Sequence, residues 1–178
     1  MKPVVLSRKK VIQFGVTRLD KVELDLGHTR KTIPTVVYPE VVVVVPLLDA
    51  RTVLMTKEYR PVIKKTLYGF PGGKANKEKN LRKAALRELV EETGYAAHSV
   101  KKLIQYYPLV GLTPMQVHVF LAKEFTKTTQ RLDEDEHIAV MKVKLKDIPR
   151  LVVSGKIAES KTLIGILLLE KHLKRRIL

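Results

Sequence analysis

The chain predicts a single mixed α/β domain, with helices packed on a largely antiparallel or mixed sheet. Three observations predict it: short β-branched, alternating runs fill the first half; one strongly helical segment follows the glycine pair at residues 72–73; and later strands end in an amphipathic helix over residues 160–175. At 178 residues the chain can bury one good core and is short for two.

Each element has a local reason. The stretch "KKVIQFGVTRLDKVELDL" alternates apolar and polar residues, which predicts a hairpin with its turn near residues 18–20. "KTIPTVVYP" is a further extended piece, and "EVVVVVPLLDARTVLMTKEYR" predicts a buried strand, a turn at residues 49–50 and a second strand. "TLYGFPGG" is a short strand closed by chain breakers. A helix is expected over about residues 80–93, with Asn80 as N-cap and Gly94 where a left-handed C-terminal cap belongs. "HSVKKLIQYYP" and "MQVHVFLAKEF" are strand-like, and "QRLDEDEHIAVMKVKL" opens as an acidic loop before becoming a strand. A short helix over residues 146–153 and the closing helix complete the series.

Composition narrows the function classes. With 45% hydrophobic residues the chain is globular rather than disordered, and the absence of cysteine excludes disulfides, iron–sulfur clusters and cysteine zinc sites. The longest apolar runs, residues 41–48 and 163–170, fall far short of the roughly 20 residues a membrane-spanning helix needs. No signal peptide is read at the start, so a cytoplasmic location is expected. Thirty-four Lys and Arg against 18 Asp and Glu leave a net charge of +16. That charge fits attraction to nucleotides, nucleic acids or other polyanions, and equally a solvated lysine-rich surface.

Against this background, the segment "LRELVEETGY" concentrates acid. Glu88, Glu91 and Glu92 fall at i, i+3 and i+4 and share one helix face. Leu86, Leu89 and Val90 are expected on the opposite, core-facing side, and Ala84 and Ala85 near the glutamates leave room for something to approach. Like charges at this spacing repel, and they stand at the helix end where the dipole disfavours anions. Such a conflict fits either a solvated acidic helix end or a hard divalent cation such as Mg²⁺, which needs clustered carboxylate oxygens. "LDEDEH" carries Asp133, Glu134, Asp135 and Glu136 consecutively: a polar turn, or a source of a general base.

Starting at Gly73, the chain resembles the Nudix hydrolase pattern G-x5-E-x7-R-E-U-x-E-E-x-G-U, where U is apolar. Arg87, Glu88, Leu89, Glu91, Glu92 and Gly94 stand in register, with Tyr95 in the last apolar place. Lys79 replaces the first glutamate of the pattern: either Glu78, one place early, reaches Arg87 in its stead, or Lys79 loosens the loop. The resemblance continues along most of the chain toward the ADP-ribose pyrophosphatase branch, which includes nucleoside-diphosphate-sugar hydrolases. It runs through "KEYRP", "LYGFPGGK", "VHVFLAKEF", "DEDEHIAV" and "SGKIAESKTLIGILLL". "LVGLTPM" departs from that branch's S-P-G-x-x-x-E, with Val110 for the proline and Met115 for the glutamate, while Gly111 remains.

The resemblance implies a Nudix fold in one domain over residues 1–178, its mixed sheets sandwiched between helices. N-terminal antiparallel strands over residues 1–39 would be exchanged in a homodimer, before a core over residues 40–178. It implies hydrolysis of the pyrophosphate bond in a nucleoside diphosphate linked to another group, either ADP-ribose, giving AMP and ribose 5-phosphate, or a nucleotide sugar. Mg²⁺, for which Mn²⁺ can substitute, would be held by Glu88, Glu91, Glu92 and the Gly72 carbonyl. Glu136, with Glu134 as the alternative, would activate water, and Arg87 would brace the glutamates. Arg60, Gly73 and Gly111 would contact substrate. Two alternatives stay open: hydrolysis of RNA 5′-ends or dinucleoside polyphosphates, from the +16 charge, and nucleotide or nucleic-acid binding without turnover, from Lys79.

Overall fold

The computed structural model describes residues 2–75, 78, 80–134 and 136–178. The chain groups into two compact units, one built from the chain up to Glu40 together with Tyr107–Gln116, the other from Val41–Tyr106 and Val117–Leu178.

The first unit is an antiparallel sheet in the order β1 (Val4–Phe14), β2 (Thr17–Asp25), β3 (Arg30–Val37). Its hairpin turns at Gly15 and Val16 and not at residues 18–20, because Gly15 takes the left-handed conformation (φ +52°) that a side chain would resist. Arg18 and Asp20 instead lie within β2. Asp20 is only 1% exposed and accepts from Arg18 Nε (2.8 Å) and Nη2 (3.1 Å), with Arg8 Nε at 3.8 Å, partners that a buried carboxylate requires. Val36 N–H donates to the Leu112 carbonyl (2.8 Å), which ties the Tyr107–Gln116 segment into this unit.

The second unit carries a six-stranded mixed sheet in the order β6 (Lys65–Gly69), β5 (Thr52–Arg60), β4 (Val41–Asp49), β8 (Val117–Lys127), β7 (Tyr95–Tyr106), with β9 (Ile138–Lys144) paired to β5. β4 and β8 run parallel; the other pairs are antiparallel. The unbroken valine run of β4 follows from burial on both faces. Val42 and Val44 pack with Ala84, Ala85 and Leu89 of α1 (Leu81–Thr93). On the other face α3 (Ser160–Leu173) meets the sheet at Gly165, where a Cβ would stand 2.9 Å from the Phe70 ring and 3.1 Å from Val45 Cγ2.

Asn80 Oδ1 caps α1, accepting from Arg82 N (3.0 Å) and Lys83 N (3.3 Å), and Gly94 (φ +67°) ends it by donating to the Val90 carbonyl. A short α2 (Ile148–Val153) follows a 3₁₀ turn at Leu145–Asp147. α3 stops short of residue 175 because Lys174 turns left-handed and the Arg175 guanidinium reaches back to the Ala50 carbonyl (2.6 Å). Among the described residues, no helix is long and apolar enough to cross a membrane.

Candidate active site

The glycine pair lies between the sheet and the carboxylates of α1. Val44 N–H donates to the Pro71 carbonyl and Val42 N–H to the Gly73 carbonyl, both at 2.9 Å, so the loop lies along β4. Between these bonds Gly72 N–H donates to Glu92 Oε2 (3.1 Å). A Cβ on residue 72 would meet the Val42 carbonyl at 2.1 Å, and one on residue 73 the Glu88 carboxylate carbon at 2.6 Å. Only glycine permits so close an approach on both sides.

α1 is rotated differently from the sequence expectation. Its buried face carries Ala84, Ala85, Glu88, Leu89, Glu92 and Thr93, so two of the glutamates lie within the buried arc and not opposite it. At about 100° per residue these six positions span roughly 180° of the helix surface, and Val90 falls outside that arc. Leu86 packs against the edge of the core, and Ala84 and Ala85 are fully buried within it. The cause is the loop: its glycines and the Gly72 amide give Glu88 and Glu92 a surface to press against.

Burial sets the electrostatics. Glu92 is 6% exposed and Glu88 7%. Loss of water is the main reason both carboxyls titrate above the ordinary range. Glu92 is pushed up to about 8; Lys161 and the Gly72 amide pull it down, while Glu88 and Glu136 push it further up. For Glu88, Arg87 opposes the rise.

Arg87 is the hub of the acidic group. Its Nε donates to Glu78 Oε1 (2.7 Å), Nη1 to Glu91 Oε2 (2.5 Å) and Nη2 to Glu88 Oε1 (2.8 Å) and the Lys74 carbonyl (3.3 Å). Desolvation works against the guanidinium charge, but the three carboxylates outweigh it and hold its pKa above the ordinary value. Glu78 thus meets Arg87 from one place before the pattern position; Lys79 lies outside the described residues, as does Asp135. Arg87 takes up oxygens of Glu88 and Glu91, and among the described residues no three acidic or histidine side chains stand converged as ready ligands.

Glu136 is half-buried just before β9, held in a turn where its N–H donates to the Asp133 carbonyl (3.0 Å) and its Oε2 accepts from Asp133 N–H (3.1 Å). Its charge raises Glu58, Glu88 and Glu92, which places all four carboxylates in one electrostatic neighbourhood. Glu134 is exposed. Arg60 ends β5, its Nη1 on Glu58 Oε1 (2.7 Å) and its Nε on Glu159 Oε1 (3.2 Å). Gly111 belongs to the first unit, exposed, with open space where a Cβ would be.

Three residues escape reading from sequence. Glu58 titrates above the ordinary range, chiefly through burial, and Glu159 bridges Arg60 to Lys161, whose Nζ lies 3.5 Å from Glu159 Oε2. Lys161 is in turn the principal cation acting on Glu92. The one signal was local: Glu58 sits inside "KEYRP", and Glu159 and Lys161 inside "AESKT".

Set beside known proteins, residues 37–161 match the NUDIX domain. The ADP-ribose pyrophosphatase of Bacillus subtilis (strain 168) is 37% identical over 159 residues, 88% of this chain and 84% of that protein. The methanol dehydrogenase activator of Bacillus methanolicus is 32% identical over 163 residues, 89% of this chain and 88% of its own. A crystal structure of an ADP compounds hydrolase shares the fold with a TM-score of 0.87, covering 98% of this chain and 95% of that one at 21% identity.

Proposed function

The chain belongs to the Nudix family, in its ADP-ribose pyrophosphatase branch, and from that premise we propose that it hydrolyses the pyrophosphate bond of a nucleoside diphosphate linked to another group, with ADP-ribose the leading substrate. The observation that carries this is the buried pair Glu88 and Glu92, walled by Gly72 and Gly73 and braced by Arg87. A diphosphate presents anionic oxygens to a site that is itself anionic, and the two are compatible only with cations between them.

Glu88, Glu91, Glu92 and the Gly72 carbonyl would hold Mg²⁺, for which Mn²⁺ can substitute, since hard oxygen donors suit both. When bound, the metal supplies charge neutralisation and a more acidic water. The chain's own groups do the rest. Arg87 keeps Glu88 and Glu91 oriented. Glu136 accepts the proton of the water that attacks phosphorus as the bridging P–O bond breaks, releasing AMP and ribose 5-phosphate. Arg60, steadied by Glu58 and Glu159, donates to a phosphate oxygen, and Gly73 lets the substrate approach the backbone.

Arg87→Lys is expected to lower kcat about 10–100-fold, the loss typical of a residue that orients metal ligands, with little change in KM. A compact ammonium cannot span three carboxylates as the planar guanidinium does. Steady-state kinetics over a metal titration, with the required metal concentration rising in the variant, checks this.

We extend the proposal to a homodimer. Val4, Val5, Leu6, Val11, Ile12 and Phe14 of β1 are exposed, Phe14 by 73%, an apolar strand surface that a second copy would cover. Light scattering is expected to give twice the 20.3 kDa chain mass. In the same preparation, a panel of ADP-ribose, nucleotide sugars, dinucleoside polyphosphates and 5′-capped RNA with Mg²⁺ tests the activity. Fastest turnover of ADP-ribose supports the proposal. Turnover confined to RNA and lost steeply with salt would replace it, and binding without any turnover would leave a nucleotide-binding domain.

A further inference from the structure

A second concentration of charge lies at the other end of the same elements. A cavity of about 500 Å³ is lined by five cations, Arg51, Lys144, Lys146, Arg175 and Arg176, with three apolar residues and no acidic side chain. β5 runs from Thr52 beside this cavity to Arg60 at the proposed active site, and β9 runs back from the acidic loop to Lys144, with Glu58 opposite Ile138 and Thr52 opposite Lys144. At about 3.3 Å per residue the two ends of β5 are some 25 Å apart.

The cations are assembled by the fold. Arg51 N–H donates to Asp49 Oδ1 (2.7 Å), and Leu145 N–H to the Arg51 carbonyl (2.8 Å). Lys144 Nζ donates to Thr52 Oγ1 (3.0 Å) and Arg175 Nη2 to the Ala50 carbonyl (2.6 Å). Beyond α3, Glu170 Oε1 accepts from both Ile177 N–H and Leu178 N–H, which pins the chain bearing Arg175 and Arg176. The β4–β5 turn, the end of β9 and the segment after α3 are thus drawn to one hollow. Among the described residues none of the five cations forms an ion pair with a side-chain carboxylate; Arg176 Nε reaches the Leu178 carbonyl (2.7 Å). Two carboxylates stand near, Asp49 in the field of Lys144 and Glu170 in that of Arg176, and both accept hydrogen bonds from backbone amides.

Like charges pinned around one hollow repel, and an anion shared among them removes the conflict. The hollow has the volume of a small-ligand pocket, whereas a polynucleotide is tracked by an extended positive groove. We propose that it is a second anion site, taking a phosphorylated small molecule of nucleotide or sugar-phosphate size, separate from the Glu88–Glu92 carboxylates.

Calorimetric titration of the whole chain with inorganic pyrophosphate in excess EDTA tests this, because chelation removes any metal-bridged binding at the carboxylates. One site is expected, weakened roughly tenfold in Arg51→Gln and again in Lys146→Gln, the loss of a charge-assisted contact each. Arg51→Lys should restore most of the affinity, and Glu92→Gln should leave it unchanged. Among the described residues the Arg51 bonds that hold the turn are made by its backbone, so Arg51→Gln is expected to melt as the wild type does. Pyrophosphate that fails to bind, binds equally well after both substitutions, or loses binding in Glu92→Gln would overturn the proposal. So would a single-stranded oligonucleotide that outcompetes pyrophosphate at low salt, which would assign the face to nucleic acid.

Discussion

Glu92→Gln is expected to lower turnover of ADP-ribose by roughly 10²–10³-fold, the scale on which removing one preorganised charged group acts. The same change is expected to stabilise the metal-free protein at alkaline pH. Burial, above all, pushes the Glu92 carboxyl up to about 8 from the ordinary glutamate value of 4.5, with Lys161 and the Gly72 amide opposing and Glu88 and Glu136 adding to the rise. The folded state therefore binds this proton more tightly than the unfolded state does. The contribution is fully present below about pH 4.5 and is lost as pH rises through about 8. Metal-free wild type should lose on the order of a few kcal/mol relative to the variant across that window, and Mg²⁺ should raise the wild-type melting temperature more than the variant's. Urea unfolding at several pH values, with EDTA and with Mg²⁺, measures both effects. A pH-independent difference between the two proteins, or a variant with full turnover, would remove Glu92 from the site.

Glu136→Gln is expected to cost about 10²–10⁴-fold in kcat with KM nearly unchanged, the range for loss of a general base. Glu134→Gln should stay close to wild type. Glu136 is tied into its turn by Asp133 and its charge is felt at Glu58, Glu88 and Glu92, whereas Glu134 faces solvent. The residual rate of Glu136→Gln should climb with pH, because hydroxide needs no base to deprotonate it. The opposite pattern, with Glu134→Gln damaging and Glu136→Gln silent, would move the role to the exposed carboxylate.

Local signals carried part of this structure well. Asn80 and Gly94 bound α1 because capping depends on a few adjacent residues. The unbroken valines of β4 and the breakers after Gly69 are equally local. The hairpin was harder: Arg18 and Asp20 have turn-like polarity, but their charges satisfy each other inside β2 while Gly15 makes the bend. Periodicity put Leu86 and Leu89 of α1 at the core but missed the burial of Glu88 and Glu92, since it treats glutamate as a surface residue and here a glycine loop covers two of them.

By itself the sequence determined the one-face spacing of Glu88, Glu91 and Glu92, the Arg87 beside them and the helix ends, because a 3.6-residue repeat and its caps are properties of neighbouring residues. Only the tertiary structure decided which carboxylates lose their water, that Arg60 is held between Glu58 and a Glu159 ninety-nine positions later, and that five cations from three segments share one hollow. Burial and long-range charge depend on neighbours that the fold supplies, and these neighbours are distant in the chain.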